Sequence, residues 1–294
     1  MKVSVIIINY NTFKLTCQCI RSVIDHTSGT EYEIILVDNA STECDTGKFL
    51  QEFPQIKLTR SSVNSGFAGG NNTGIQNAAG EFILLLNSDT ILRENTITKS
   101  VQYIQEQNGA GVLGCRMTYP DGSLQYSARR FRTISWELLD LFRFIPFLMP
   151  YKTRSKKMLG KYFRHDQNIE CDWVNGAFFL FPKAILDKLP GKKLDDRFFM
   201  YGEDQLWCEQ IKNLGHKVLF YSGSTIIHIN NGSTDLSKQL QLRSTMMRHE
   251  LQVMQHRKGK GVYYYIFKTI YVSKEAVRNV IKYLVWRSSG RMMR

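Results

Sequence analysis

The chain has little that would staple it together or carry it across a membrane. Its six cysteines (Cys17, Cys19, Cys44, Cys115, Cys171 and Cys208) include no CxxC pair and no dense spacing. That pattern argues against a disulfide framework or a cysteine zinc site and suits small buried thiols in a reducing compartment. No stretch reaches the ~18 uninterrupted apolar residues of a spanning helix. The opening "MKVSVIIINYNT" is too short an apolar run for a signal peptide, with Asn-Tyr-Asn where a cleavage site would lie. These absences predict a cytoplasmic chain or one held at the cytoplasmic face of the inner membrane. Glycine is missing where a nicotinamide-binding domain requires it: the first strand runs into "NYNTFKLT" and not into GxGxxG, which disfavours hydride transfer.

Acidic residues are scarce in two places. The net charge of +13 is distributed as −2 over residues 1–120, +7 over 121–165, −3 over 166–235 and +11 over 236–294. A basic block can meet nucleic acid, anionic lipid or neither. No helix-turn-helix, zinc or RNA-recognition signature accompanies it, so nucleic acid is not expected as a partner.

What remains suffices for one large folded domain with an appendage: 294 residues, 43% of them hydrophobic. Through residue 120, β-rich runs at 3–8, 33–38, 56–60, 82–87 and 111–117 alternate with helix-like stretches near 12–27, 44–53, 69–79 and 94–107. Strands apolar on both faces and joined by helices predict an α/β fold, an open and mostly parallel sheet covered on both sides. Ligands of such sheets gather at the carboxyl ends of the strands. Here those ends read "NYNT", "VDNAST" and "NSDT". The same residue types cap the helices that follow, and capping is compatible with ligand binding. Without first-turn glycines, a diphosphate's charge must be met differently, and Asp89 is a hard oxygen ligand suited to Mg²⁺ or Mn²⁺.

"VSVIIINYNT", "ILVDNAST", "NSGFAGGNNTG", "LLLNSDT" and "FFMYGEDQLWCEQIKNLGHKVLF" follow one another in an order and spacing that resemble the family 2 glycosyltransferases of GT-A fold. The match is most similar to bacterial rhamnosyltransferase-like members that build surface polysaccharide, and it covers roughly residues 2–232. The resemblance implies a nucleotide-sugar donor, dTDP- or UDP-linked, with Asp38 near the base. Asn9, Asn11, Asn39, Asn64, Gly66 and Asn87 fall on the donor side. Asp89 matches the last acid of the family's DxD motif, the metal ligand, and Asn87 stands where that motif has its first acid.

In "MYGEDQLW", Glu203 and Asp204 open an amphipathic helix whose buried side is marked by Leu206, Trp207, Ile211 and Leu214. Adjacent acids in a first turn also answer the helix dipole. The resemblance makes Asp204 the catalytic base, with Glu203 orienting the acceptor or its neighbour. His228 ends an apolar run; such a residue is commonly structural, and the resemblance implies a second metal ligand. Trp173, Asn175, Gly176 and Ala177 are implied to line the acceptor side, although Trp173 also suits a core. Arg129 and Arg130 suit phosphate contacts or a solvated loop.

In 262–287, Ile266, Ile270, Val277, Ile281 and Leu284 recur near helical spacing, while Lys274, Arg278 and Lys282 form a basic stripe. This pattern predicts binding to an anionic membrane surface, with packing on its own domain or in a homo-oligomer as the alternatives. The segment 136–157 has the same mixture. The organisation expected is a GT-A domain over 1–235, divided into a nucleotide-sugar half (1–120) and an acceptor half (121–235), followed by a basic helical extension over 236–294. The activity implied is inverting, metal-dependent transfer of a sugar, rhamnose from dTDP-rhamnose in the first instance, onto a lipid-linked saccharide. A catalytically silent nucleotide-sugar-binding scaffold is the alternative.

Overall fold

The computed structural model describes residues 2–229 and 236–289. They fall into two units, Met1–Arg130 with Arg164–Asn230 and Phe131–Phe163 with Asn231–Arg294. In the first, β1 (Lys2–Asn9), α1 (Phe13–His26), β2 (Glu31–Asn39), α2 (Lys48–Glu52), β3 (Lys57–Ser61), α3 (Gly66–Gln76) and β4 (Phe82–Asn87) alternate as the patterning predicts. There follow β5 (Thr90–Leu92), α4 (Thr96–Glu106), β6 (Ala110–Thr118), β7 (Leu124–Gln125) and β8 (Ala128–Arg129). After the excursion into the second unit come β9 (Ile169–Cys171), β10 (Trp173–Val174), β11 (Phe178–Pro182), α8 (Glu203–Asn213) and β12 (Lys217–His228).

The main sheet runs β3-β2-β1-β4-β11-β6-β12-β5. β3, β2, β1 and β4 pair in parallel, β11 is antiparallel to both β4 and β6, and β12 is parallel to β6. The sheet is therefore mixed and mostly parallel. Its central strands bury both faces. Val3, Val5 and Ile7 of β1 join Cys19, Ile20 and Val23 of α1 in one core, while Ile6 faces α3. There Gly74 lets the helix lie close, because a Cβ on it would stand 2.4 Å from Ile6 Cγ2. The glycines at 70 and 74 thus serve helix-on-sheet packing.

The second unit comprises α5 (Ile134–Leu141), α6 (Phe144–Leu148), α7 (Tyr151–Met158), α9 (Leu236–Lys258) and α10 (Val262–Ser289). Within 262–287 the structure turns part of the basic stripe inward, the packing that the sequence leaves as an alternative to a membrane contact. The face of α10 that packs inward carries Tyr264, Phe267, Tyr271 and Lys274, and Lys274 is only 3% exposed. Its ammonium pairs with Glu137 and, at 2.9 Å, with Asp140 of α5. Arg278 also reaches Asp140, at 2.8 Å. Val277, Ile281 and Leu284 are exposed instead. Two buried carboxylates on α5 draw the basic stripe inward, since a buried anion without a partner is costly. The side chain of Lys282 lies outside the described residues. Among the described residues, no helix is long and apolar enough to cross a membrane.

Candidate active site

The carboxyl ends of β1, β2 and β4 meet in a cleft lined by Ile8, Tyr10, Thr12, Asn39, Asn64, Gly66, Phe67, Asn87, Ser88, Asp89 and Met200. Asparagines tie its rim together. Asn9 is fully buried and uses both ends of its amide internally: Nδ2 donates to Asp38 Oδ1 (3.1 Å) and Ser41 Oγ (2.8 Å), and Oδ1 accepts from Thr12 and Thr16. Asn11, in the left-handed region at φ 52°, accepts from the backbone N–H groups of Thr42 and Glu43. Asn39 Nδ2 donates to Asn64 Oδ1 and to Gly66 O, and its Oδ1 accepts from Ser65. Of the residues read as donor-side, Asn39, Asn64, Gly66, Asn87 and Asp89 face the cleft, whereas Asn9 and Asn11 hold the loops that shape it.

Gly66 is required where it stands. Its φ is +72°, and a Cβ there would lie 2.2 Å from the carbonyl oxygen of Phe199. The next residue, Phe67, donates its N–H to that same oxygen at 2.8 Å and stacks on Trp207 of α8 with ring centroids 5.9 Å apart. In this way the start of α3 is locked to the segment that leads into Glu203 and Asp204.

The opening of β5 after Asp89 sets a second pairing. β5 runs antiparallel to the end of β12 with His228 opposite Thr90, and Ile229 N–H donates to Asp89 O at 2.9 Å. This register brings His228 Nε2 to 3.2 Å from Asp89 Oδ1. Asn87 lies beside them, its Nδ2 3.4 Å from the same ring nitrogen, and its Oδ1 is buried without a hydrogen-bond partner. Among the described residues, no cluster of three or more His, Cys, Asp or Glu side chains could hold a metal ion. Asp89, His228 and the orphaned Asn87 carbonyl nevertheless fit a hard divalent cation that takes its remaining ligands from water and phosphate oxygens.

Asp204 connects to this edge through the backbone. Asn87 N–H donates to Ala177 O at 3.1 Å, and Gly176 N–H donates to Asp204 Oδ2 at 3.3 Å. Asn175 Oδ1 caps the same turn by accepting from Ala177 N–H. Two left-handed residues, Tyr201 (φ 71°) and Gly202 (φ 97°), turn the chain into α8. Glu203 is buried with its Oε2 unpartnered. Burial, and then the charge of Asp204, push its carboxyl up to about 8, so at neutral pH the pair carries its negative charge on Asp204. Leu206, Trp207 and Ile211 are buried as their spacing implies, whereas Leu214 follows the last residue of α8 and is 37% exposed.

Trp173 Nε1 donates to Arg130 O, and its ring lies under the Arg129 guanidinium, 5.2 Å from the centroid. Arg130 pairs with Asp172 at 3.3 Å. Sequence reasoning missed Tyr10, Thr12, Ser88, Phe67 and Met200 as cleft residues. Thr12, Tyr10 and Ser88 lie inside the quoted strand-end motifs and were recoverable from them. Phe67 and Met200 also lie inside quoted motifs, "NSGFAGGNNTG" and "FFMYGEDQLW", but reach the strand ends only in three dimensions.

The family model described as Glycosyl transferase family 2 matches residues 4–186. Among curated proteins, the chain is similar to the glycosyltransferase GlyG of Streptococcus pneumoniae, 32% identical over 124 residues, which are 40% of this chain and 40% of that protein. It is also similar to the uncharacterized glycosyltransferase YfnE of Bacillus subtilis, 25% identical over 236 residues, 73% of this chain and 55% of that protein. The chain thus spans about half the length of these relatives or less. Among solved structures, TarS 1-349 of Staphylococcus aureus in complex with UDP superposes with a TM-score of 0.56 at 17% identity, covering 92% of this chain and 71% of that one. The mannosyltransferase PcManGT of Pyrobaculum calidifontis, in complex with GDP-Man and Mn²⁺, gives 0.58 at 16% identity, covering 93% and 68%. At these identities the structures establish a shared fold.

Proposed function

The chain belongs to glycosyl transferase family 2, and from that membership we propose that it transfers a sugar from a nucleotide-sugar donor, with inversion, to a lipid-linked saccharide in surface polysaccharide synthesis. dTDP-rhamnose is the first donor to examine. The observation that carries this reading is the convergence at one sheet edge of Asp89 and His228, 3.2 Å apart, with Asp204 tied to the same edge through Gly176 and Ala177.

Asp204 is the base in this proposal. Backbone N–H groups of Gly176 and Gln205 hold its two carboxylate oxygens, and neutral Glu203 leaves it the charged member of the pair. An acceptor hydroxyl attacking the anomeric carbon passes its proton to Asp204 as the new bond forms. Direct displacement from the face opposite the leaving group inverts the centre. Asp89 and His228, with Asn87 beside them, would hold Mg²⁺ or Mn²⁺. Such an ion, when bound, offsets charge on the nucleoside diphosphate leaving group.

A membrane-facing role for the second unit is part of the proposal, and it uses a different surface from the basic stripe of α10. Phe144, Phe147 and Leu148 are 64%, 59% and 79% exposed, with Arg143, Lys152 and Lys157 exposed around them. Apolar side chains at the acyl boundary with cations beside anionic headgroups suit an interfacial contact, each cation adding ~1 kcal/mol. A peripheral position at the cytoplasmic face would bring the enzyme to a lipid-linked acceptor.

The test is transfer from dTDP-rhamnose and UDP-sugars to membrane extracts or synthetic lipid-linked saccharides, comparing wild type with Asp204→Asn. Transfer by wild type, its loss in Asp204→Asn and retained nucleotide binding support the reading. Undiminished turnover by Asp204→Asn moves the base elsewhere.

A further inference from the structure

Gln125 belongs to none of the motifs that mark the catalytic edge, yet it grips the ring expected to bind metal. It ends β7, which pairs with β6 so that Gln125 lies opposite Met117, and it is buried. Its Nε2 donates to two backbone carbonyl oxygens, that of His228 itself and, at 3.5 Å, that of Thr118. Carbonyl oxygens only accept, so the amide has a single orientation that satisfies it, with Nε2 toward the carbonyls and Oε1 turned away from them. Oε1 stands 2.9 Å from His228 Nδ1. An amide oxygen has no proton to give, so Nδ1 carries the hydrogen and donates it.

A neutral imidazole with its proton on Nδ1 has a lone pair on Nε2. That nitrogen faces Asp89 Oδ1 across 3.2 Å. Asn87 Nδ2 stands 3.4 Å from the same nitrogen and can donate to a lone pair there. Two acceptors facing one another at this distance favour a cation between them. Were the proton on Nε2, the ring would donate to Asp89 and close the gap that a metal would enter.

We propose that Gln125 is a positioning residue: it fixes His228 as the Nδ1–H tautomer and so presents the Nε2 lone pair, together with Asp89, to a divalent cation. The inference deepens the metal-dependent reading given above and rests on it. Partners of this kind behind a metal-binding histidine are worth about 10–100-fold in metal affinity.

The experiment has two arms on the full chain. The first is long-range ¹H–¹⁵N NMR of the imidazole rings in metal-free protein near pH 8, with His228 assigned by His228→Gln. The second is titration with Mn²⁺ alone, followed by water proton relaxation, on wild type, Gln125→Leu, Gln125→Glu and Asp89→Ala. Wild type is expected to show His228 as Nδ1–H, and Gln125→Leu to shift it toward Nε2–H and weaken Mn²⁺ binding about 10–100-fold. Gln125→Glu, which keeps an acceptor for Nδ1–H, is expected to retain the wild-type tautomer. An Nε2–H signal in wild type overturns the proposal, as does wild-type Mn²⁺ affinity in a folded Gln125→Leu. Should Gln125→Leu fail to fold, the wild-type tautomer decides alone. If wild type and Asp89→Ala take up Mn²⁺ equally, the metal reading itself fails, and the NMR arm still reports the tautomer separately from that outcome.

Discussion

Glu203→Gln changes one atom at nearly constant shape and removes one titration. In the folded chain the carboxyl keeps its proton up to about pH 8, because it is 6% exposed, its Oε2 meets no donor and the charge of Asp204 lies beside it. In the unfolded chain it loses that proton near the ordinary 4.5. Between these limits the folded state binds more protons than the unfolded one. Stability therefore falls as pH rises from about 4.5 to about 8 and is level above that range. At about 1.4 kcal/mol per pH unit, the interval from 4.5 to about 8 amounts to about 5 kcal/mol. This is an upper bound, since opening of the turn at Tyr201 and Gly202 would let water reach the carboxylate. A glutamine has no charge to bury and escapes the loss. Urea unfolding followed by circular dichroism at about pH 5.5 and about pH 8.5 measures the effect. The variant should lead by about 1.4 kcal/mol at the lower pH, one unit above 4.5, and by up to about 5 kcal/mol at the higher. Parallel pH profiles would refute the claim that Glu203 is held neutral, and with it the assignment of the pair's charge to Asp204.

Two further outcomes concern the second unit. Lys274→Met leaves Glu137 and Asp140 buried with one cation fewer, and should destabilise that unit by about 3 kcal/mol, the low end for a broken buried pair because Arg132 and Arg278 remain nearby; thermal unfolding unchanged from wild type would place Lys274 outside that cluster. Replacing Phe144, Phe147 and Leu148 together by Ser should abolish flotation with anionic phosphatidylglycerol vesicles without changing thermal unfolding, and equal flotation of the two proteins would remove this surface from the membrane contact.

Much of the sheet was legible because its strands are apolar on both faces and stop at polar residues. Phe82 to Leu86 could only be a buried strand, and Asn87, Ser88 and Asp89 could only lie at its mouth. The β5 hook was not legible: three residues, Thr90 to Leu92, have no periodicity of their own and acquire a register only against β12. Asn9 and Asn11 read as donor-side residues because a polar residue at a strand end looks the same whether it faces a cleft or a neighbouring loop. Only the hydrogen bonds distinguish these cases. For a related reason the sequence left open which way the basic stripe of α10 turns. Helical spacing places Lys274 and Arg278 on one face, but which face turns inward depends on Glu137 and Asp140, more than a hundred residues earlier in the chain. Gln125 offered no signal, since its role exists only through the ring of His228.

Calorimetric titration with dTDP, UDP and GDP, with and without Mn²⁺, on wild type and Asp89→Ala reaches the central claim most directly. A metal-dependent site at the ends of β1, β2 and β4 predicts that one of these nucleotides binds wild type far more tightly with Mn²⁺ present and that Asp89→Ala loses the metal-dependent part. Binding indifferent to Mn²⁺, or unchanged by Asp89→Ala, would contradict it.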